Sequence, residues 1–389
     1  MKDNFWTGRE HVMFLGAIFC FWFATYIYVP TFSVYLERID LYYSEIGIIL
    51  GAYGITQVLF RWPLGVLLEW MSGNKKKWLL LGFMIGTGSG VILAVSETFS
   101  LILIGRLLAG VTASMWVMAT IMYGQNFPLS KSTQAMSTMQ FMTVFTQFVS
   151  MLLCSVLISW YGWDFPFWAA SVFSVIGALL LLAVPEMKSD TERGERTFRQ
   201  IFMKTLGMGE VWGISGLSLF AYAILFITIF GFSPLYIVEQ GHSESAITWL
   251  VVAFFLPHML TSLSLAYIPL REGSGLRLVF GSFLLSAVFL AVLPTASFAG
   301  FLLLHAGTGF ALGMILPLLL GRAAALGKEG DGMAVMGMFQ SLYAIGIFAG
   351  PYVSGKLAEG AGLTAPFYFA AALAVTGALL TMVMKKWLS

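Results

Sequence analysis

The stretch VMFLGAIFCFWFATYIYVPTFSVYL, residues 12–36, contains no charged side chain. A helix needs about 20 apolar residues to cross the hydrocarbon layer of a bilayer, which is roughly 30 Å thick, so this stretch is long enough to span it. It is too long for the core of a signal peptide and lacks an obvious cleavage site. The sequence therefore predicts a first membrane span close to the N-terminus.

Stretches of the same kind recur along the whole chain, which predicts an all-α integral membrane protein with twelve spans. Hydrophobic residues make up 59% of the chain and charged residues only 10%, whereas a soluble domain has about 25% charged residues. The net charge of +2 argues against a nucleic-acid partner. The predicted spans are residues 11–36, 45–68, 77–95, 99–123, 132–157, 165–184, 211–236, 245–267, 276–293, 297–320, 333–357 and 364–384.

Sequence motifs for enzymatic chemistry are lacking. There is no phosphate-binding loop, no cluster of Cys and His at metal-ligand spacing, and no nucleophile beside a base. Cys20 and Cys154 lie in apolar stretches, where a thiol acts as a small buried hydrophobic group. We predict no enzyme, no cofactor and no metal. An intramembrane enzyme would need a buried catalytic set, and a lipid-binding sensor would need a soluble output domain; neither is found.

A charged segment, residues 185–208, divides the chain into two sets of six spans, residues 1–184 and 209–389. Such a segment cannot pack into lipid, which predicts a cytoplasmic linker. The halves also match when shifted by about 200 residues, as expected for two pseudo-symmetric bundles that arose by duplication. The matched pairs are Arg106 with His305, Gly110 with Gly309, Met136 with Met336, and Gln140 with Gln340.

The orientation in the membrane follows from the basic residues. Most lysines and arginines flank the span ends that share a side with the linker. Because basic residues are retained in the cytoplasm, we predict a multi-pass protein of the plasma (inner) membrane with both termini cytoplasmic. The exceptions are Arg38 and Lys356, which fall on the opposite side, and Arg61 and Arg106, which fall inside predicted spans.

Two sets of six spans joined by a charged loop resemble the major facilitator superfamily of secondary transporters. After span two, that family has Gly, three residues, Asp, a basic residue, one residue, Gly and then basic residues. Here Glu69 replaces the Asp, Trp70 replaces the basic residue, and the glycines are Gly65 and Gly73, the second one place late. In the family the loop locks the cytoplasmic side closed, with its carboxylate facing a helix N-terminus. The resemblance implies gating roles for Gly65, Glu69 and Gly73; an ordinary turn is the alternative.

Two further motifs extend the resemblance. Arg106, with Gly110 four residues later, matches the arginine that the family has on span four. A glycine-rich sequence with Gly-Pro, which many family members have on span five, is absent there and occurs on span eleven as Gly346, Gly350 and Pro351. We expect these residues to permit a kink and close helix contact at the moving interface. Similar span-eleven sequences occur in transporters that resemble sugar or metabolite efflux permeases, which favours export.

Proton coupling has few candidates, because all acidic residues fall in loops or at predicted span ends. The candidates are Glu37 and Glu45 at the outer span ends, Arg106, and the intramembrane histidines His258 and His305. Arg106 lies about 12 Å deep, where an unpaired guanidinium costs at least ~3 kcal/mol. A purely structural arginine and packing histidines are the alternatives. These three potentially positive groups also raise the hypothesis that the substrate is anionic.

The predicted substrate cavity lies near the midplane between the two halves. Spacings of three and four residues place polar groups on one face of spans five and eleven. Packing or lipid-facing roles are the alternative for any single aromatic residue. The candidate lining residues are Tyr26, Tyr53, Gln57, Arg106, Trp116, Gln140, Gln147, Tyr222, Phe226, His258, His305, Gln340 and Tyr343.

The leading functional hypothesis is a secondary active transporter that works by alternating access and exports a small organic or amphiphilic compound in exchange for protons. The alternatives are uptake of a sugar or organic anion, by symport or facilitated diffusion, and export of an anionic metabolite such as a metallophore. The expected partners are a small-molecule substrate, the lipid bilayer and protons, and we expect a monomer.

Overall fold

The structure is a computed structural model and describes residues 6–70, 75–127, 132–185, 197–267, 274–327 and 332–384, with the backbone alone for 132–137, 140, 266, 267 and 324. Part of the predicted linker, residues 186–196, lies outside these ranges. Within the described ranges, twelve helical segments are long and apolar enough to cross a membrane, which confirms the predicted number. Spans one to twelve are Gly8–Arg38, Tyr43–Trp70, Lys75–Val95, Phe99–Gly124, Phe141–Tyr161, Phe165–Leu182, Gly209–Glu239, Ala246–Leu265, Ser274–Thr295, Phe298–Ala323, Gly332–Ala361 and Ala365–Val383.

Several helices extend beyond the apolar part of the span. The helix of span five is Ser132–Tyr161, that of span eight is Ala246–Tyr267, and that of span ten is Phe298–Leu326. Spans five and eleven end at Tyr161 and Ala361, about four residues later than predicted. Hydropathy cannot locate these ends, because a helix continues into the interfacial layer where polar and aromatic residues are also favourable.

Spans one, four and seven are interrupted. Span one consists of the helices Gly8–Tyr26 and Val29–Arg38, and span four of Phe99–Ser114 and Trp116–Gly124. Span seven has Gly209–Ile227, a π-helical turn Thr228–Phe232, and Ser233–Glu239. Proline lies at the start of the second helix in spans one and seven. Its ring clashes with the preceding turn and its nitrogen cannot donate a hydrogen bond, so a helix is interrupted at this position. These two spans are equivalent in the repeat, and interrupted spans commonly form transporter binding sites.

The two halves repeat the same packing. A Cβ added to Gly177 of span six would meet the ring of Phe83 on span three. A Cβ added to Gly377 of span twelve would lie 2.7 Å from the ring of Phe283 on span nine. The two pairs are related by a shift of 200 residues. Each half therefore has a glycine that makes room for the equivalent phenylalanine of that half. The predicted arrangement of two pseudo-symmetric six-helix bundles is confirmed.

One face of the membrane contains Trp6 and Met384, the first and last described residues, together with Pro185, and we call it the linker face. There the Trp6 indole nitrogen donates to the Pro185 carbonyl at 3.2 Å, and the Lys76 amine donates to the Leu182 carbonyl at 2.9 Å. Gly213, near the start of span seven, lies against Met384 at the end of span twelve. The starts and ends of both bundles therefore share this face, and spans one and seven end at the opposite face.

Spans two and eleven form the main contact between the bundles and touch near both membrane faces. Close to the opposite face, a Cβ on Gly47 would lie 2.9 Å from Cα of Gly355. Close to the linker face, a Cβ on Gly65 would lie 3.1 Å from Cα of Gly337. Backbones approach this closely only where both helices have small residues. In this conformation the contact between spans two and eleven is closed along its length.

The end of the linker forms a helix, Phe198–Leu206, that contacts both bundles. Ile201 is buried beside Ala334 of span eleven. The ring of Phe202 stacks on Trp62 of span two with a centroid distance of 4.1 Å. This part of the linker is therefore packed against the bundles by an apolar face, rather than being only a charged connection.

Candidate functional site

Aromatic rings from both bundles meet near the interruptions of spans one and seven. Tyr26 lies 5.5 Å from Phe230, and Tyr53 stacks on Phe226 at 6.0 Å between ring centroids. The Tyr26 hydroxyl also lies close to the side chains of Tyr53 and Gln147. Four of the predicted lining residues are thus brought together, and Phe230 is added to them. We call these rings, Tyr26, Tyr53, Phe226 and Phe230, the aromatic junction.

Trp116 joins this group through a residue that the sequence analysis missed. Its indole packs at 4.9 Å against Trp22, which in turn lies 5.6 Å from Tyr26. The Trp22 indole nitrogen is buried without a hydrogen-bond partner among the described residues. Trp22 lies one helical turn before Tyr26, so its spacing from that residue was the available signal.

Arg106 is almost completely buried, with 2% of its surface exposed. Its Nη1 donates to the Tyr28 hydroxyl at 3.0 Å, and its guanidinium lies 4.8 Å from the Tyr53 ring centroid and 5.2 Å from that of Phe32. A Cβ on Gly110 would meet the Tyr53 carbonyl, so this glycine allows span two to approach. The positive charge is stabilised by aromatic faces and a hydroxyl group. These partners belong to spans one and two.

Arg61 is a second buried cation, and the sequence analysis assigned it no role. It is 3% exposed. Its Nη1 donates to the Tyr343 hydroxyl at 2.6 Å and its Nη2 to the Ala113 carbonyl at 3.3 Å. The Tyr343 ring stacks on Tyr222 at 4.0 Å. Arg61 therefore connects span two with span four of its own bundle and span eleven of the other bundle.

Two glutamines on spans two and eleven have side-chain oxygens that no described residue uses. Gln57 and Gln340 are buried, and each Oε1 is without a hydrogen-bond partner within the described ranges. The Gln57 amide nitrogen donates to the Tyr53 carbonyl at 2.8 Å. A buried acceptor without a partner costs about 1–3 kcal/mol, so a polar substrate group or a water molecule would be stabilised here. The side chain of Gln140 lies outside the described residues.

The two intramembrane histidines have different surroundings. His305 is fully satisfied, because its Nδ1 lies 3.0 Å from the Phe301 carbonyl and its Nε2 lies 2.8 Å from the Ser233 hydroxyl. A carbonyl only accepts, so Nδ1 carries a proton, and in the neutral form of His305 the Nε2 atom accepts from the Ser233 hydroxyl. His258 stacks on Phe254, and its Nδ1 has no partner among the described residues. His305 fits a packing role, whereas His258 has a free nitrogen.

The two acidic candidates for proton coupling lie at the opposite face. Glu37 accepts a hydrogen bond of 3.0 Å from the Tyr43 hydroxyl, and Glu45 accepts one of 3.0 Å from the Tyr42 backbone at the start of span two. Nearby, Arg38 and Glu244 form an ion pair of 3.5 Å between the bundles. These acids are separate from the aromatic junction, and their role in proton coupling stays a prediction.

The loop after span two places its carboxylate at a helix N-terminus. Glu69 accepts a hydrogen bond of 3.0 Å from the backbone nitrogen of Met333, which belongs to the first turn of span eleven. A negative charge is favourable at this end of a helix. Gly65 lies against the same turn, since its Cβ would be 2.6 Å from the Met333 carbonyl. Gly73 lies outside the described residues, and a gating role for the loop stays a prediction.

Gly346 and Gly350 are located differently from the expectation. A Cβ on Gly346 would lie 3.1 Å from the Ala223 nitrogen, and one on Gly350 would lie 3.1 Å from the Ala223 carbonyl. Both glycines therefore face span seven of their own bundle, not the interface between the bundles. The neighbouring Pro351 carbonyl does face the other bundle, where it contacts Gly47. The small residues of span eleven thus contact both span seven and span two. The gating role of Gly346, Gly350 and Pro351 stays a prediction.

We expect Glu69→Ala to lower thermal stability in detergent and to reduce transport. Loss of a helix-capping side chain costs about 0.5–2 kcal/mol. The matched control is Asp164→Ala, because Asp164 precedes the helix of span six without making a capping hydrogen bond. Melting curves of both variants test the prediction, and equal losses of stability would contradict a specific role for the Glu69 contact.

A sequence model of a protein family, described as Major Facilitator Superfamily, matches residues 14–246 and 216–386 of the chain. The chain belongs to the Major Facilitator Superfamily. Members of this superfamily are transporters, so the chain is a multi-pass membrane transporter and not an enzyme.

Two relatives of this chain are named for resistance to drugs. Multidrug resistance protein 2 of Bacillus subtilis (strain 168) is 24% identical and covers 96% of this chain and 95% of its own length. Quinolone resistance protein NorA of Staphylococcus aureus (strain MSSA476) is 21% identical over 95% of each chain. Each match covers nearly the whole of both chains.

Solved structures show the same fold. The human organic anion transporter MFSD10 (TETRAN) aligns with a TM-score of 0.70 at 18% identity, covering 97% of this chain and 100% of its own. The nucleoside transporter NupG aligns with a TM-score of 0.76 at 15% identity, covering 96% and 99%. At such identities the likeness concerns the fold alone.

Proposed function

We propose that this transporter exports a small amphiphilic organic compound in exchange for protons. It acts as a monomer in the plasma (inner) membrane, with the linker face in the cytoplasm. The compound occupies the centre of the molecule when the rings of the aromatic junction separate, and the bundles then rock to expose it to the other side. Small-molecule substrates of this fold class bind between the two halves.

The observation that carries the proposal is the aromatic junction itself. Tyr26 and Tyr53 of one bundle contact Phe230 and Phe226 of the other beside the interruptions of spans one and seven. Aromatic surfaces that meet across a moving interface form an apolar pocket with polar rims when they part, which suits compounds with both characters. The relatives named for multidrug and quinolone resistance support export in preference to uptake.

Proton exchange requires a group that changes protonation as the bundles move. Glu37 lies at the opposite face beside Tyr43, and Glu239 of the other bundle also interacts with this tyrosine. The Nδ1 of His258, in the interior, has no partner among the described residues. Glu37 and Glu239 support proton coupling, because they belong to different bundles at a face that opens and closes, and His258 supports it as a titratable group within the spans.

A proteoliposome assay with an imposed pH gradient tests the proposal. We expect an acidic interior to drive accumulation of amphiphilic aromatic compounds into the vesicles, since internal protons leave as the compound enters. A protonophore should abolish the accumulation. Accumulation driven by an alkaline interior would indicate symport and contradict exchange, and transport unaffected by either gradient would contradict proton coupling.

A further inference from the structure

Within the described spans, two buried arginines have no acidic partner. Arg61 and Arg106 are 3% and 2% exposed. In the described part of the chain, neither forms an ion pair; the ion pairs found there, Arg38 with Glu244 and Arg322 with Glu210, are at the membrane faces. A buried cation without an acidic partner is costly, and in a membrane protein it marks a functional site.

Both guanidinium groups have unused donors. A guanidinium has five N–H donors in a planar arrangement that matches the two oxygens of an anionic group. Arg106 uses Nη1 with the Tyr28 hydroxyl, and Arg61 uses Nη1 and Nη2 with the Tyr343 hydroxyl and the Ala113 carbonyl. The Nε of each arginine is buried and has no partner among the described residues. A carboxylate, sulfonate or phosphate would supply the missing acceptors.

The two arginines lie at different depths. Arg106 is seven residues from the start of span four at Phe99, or about 10 Å from the opposite face at 1.5 Å per residue. Arg61 is nine residues from the end of span two at Trp70, or about 14 Å from the linker face. One buried arginine therefore lies in each half of the membrane.

Span two connects the two charges with a polar stripe. Tyr53, Gln57 and Arg61 are spaced by four residues and so share one helix face. At one end of the stripe the Tyr53 ring lies against Arg106, and at the other end Arg61 bonds to Tyr343 of the other bundle. Because Tyr343 belongs to the moving partner bundle, separation of the bundles releases the Arg61 donors.

We propose that the substrate has an anionic group, and that Arg106 and Arg61 bind this group in succession as it moves between the two halves of the membrane. The inference rests on the proposed transport through the aromatic junction and adds the charge class of the substrate. A cationic substrate would meet two like charges in a medium that screens them weakly. The apolar part of the substrate packs on the aromatic rings, while its anionic group takes the Nε donors.

Two probes with the same ring and opposite charges test the inference directly. They are 2-naphthalenesulfonate and trimethyl-2-naphthylammonium, and their binding to the purified full chain in lipid nanodiscs is measured by quenching of tryptophan fluorescence. We expect the sulfonate to bind at least about tenfold more tightly than the ammonium compound. Absence of sulfonate binding, or equal or tighter binding of the ammonium compound, would overturn the proposal.

Variants assign the binding to the two arginines. Arg61→Gln and Arg106→Gln are each expected to weaken sulfonate binding about tenfold or more, and Arg61→Lys to weaken it less, because lysine keeps the charge but loses the two-point geometry. Arg38→Gln is the matched control, since Arg38 is 59% exposed and paired with Glu244. Folding of each variant is checked by size-exclusion chromatography and circular dichroism. Unchanged binding in folded Arg61→Gln or Arg106→Gln would overturn the proposed site.

The outcome is separable from that of the proposed function. Proton-driven transport of the ammonium compound, without sulfonate binding, would support drug export and overturn the anion site. Sulfonate binding that depends on both arginines, without any response of transport to a pH gradient, would support the anion site and contradict proton exchange.

Discussion

Arg106→Ala is expected to abolish transport, with a fall of at least about a hundredfold, while the protein stays folded and inserted. The guanidinium lies against Tyr53 and Phe32 and donates to Tyr28, so its removal takes away the buried charge that contacts the aromatic junction. Stability should not suffer greatly, because burial of an unpaired cation itself costs at least ~3 kcal/mol. Transport in proteoliposomes and the elution profile in detergent measure the two effects.

The matched control is Arg38→Ala at the opposite face. Arg38 is 59% exposed, and its ion pair with Glu244 is worth little in water, so transport should fall by less than about twofold. Arg106→Lys tests the aromatic contacts separately, since lysine keeps the charge but loses the planar surface that lies over Tyr53. Full transport by Arg106→Ala would remove this residue from the mechanism.

Gly54→Leu is expected to reduce transport about tenfold or more by keeping spans two and eleven apart. Even a Cβ at Gly54 would lie 2.6 Å from the Phe348 nitrogen and 2.9 Å from the Ala344 carbonyl. Backbone atoms cannot move aside as a flexible side chain can, so the leucine must separate the helices. The contact between the bundles would then be unable to close.

Gly88→Leu on span three is the control for this substitution. A Cβ there would have nothing within 4 Å, so the same exchange adds an apolar side chain without a clash. Both substitutions raise helix propensity equally, and a difference between them reports packing alone. The two variants are compared for transport and for expression in the membrane fraction. Equal transport in both would contradict the importance of the closed contact between spans two and eleven.

The sequence predicted the membrane spans well because lipid imposes a simple requirement. Every backbone polar group must be satisfied within the segment, so each crossing is an apolar helix of defined length. The repeat was also visible, and the equivalent glycines Gly177 and Gly377, each against a phenylalanine of its own half, show its physical origin. The interruption of span seven at Thr228–Phe232 was not predicted, since a π-helical turn does not alter hydropathy.

The candidate site was predicted only in part. The depth of Arg106 within its span followed from hydropathy. Arg61 was assigned no role, because its partner Tyr343 lies 282 positions away. Both intramembrane histidines were candidates for proton coupling, yet His305 has both ring nitrogens satisfied, whereas Nδ1 of His258 has no partner among the described residues.

The sequence alone therefore determined that this protein crosses the membrane twelve times in two related halves, and that Arg106 lies deep within it. Those features depend on where apolar and polar residues lie along the chain, because lipid imposes the same requirement on each segment that crosses it. The tertiary structure decided which side chains meet between the bundles, namely the aromatic junction, Arg61 with Tyr343, and Glu69 with span eleven. Such contacts depend on how each helix is rotated against its neighbours, and packing of small residues and single hydrogen bonds sets that rotation rather than hydropathy.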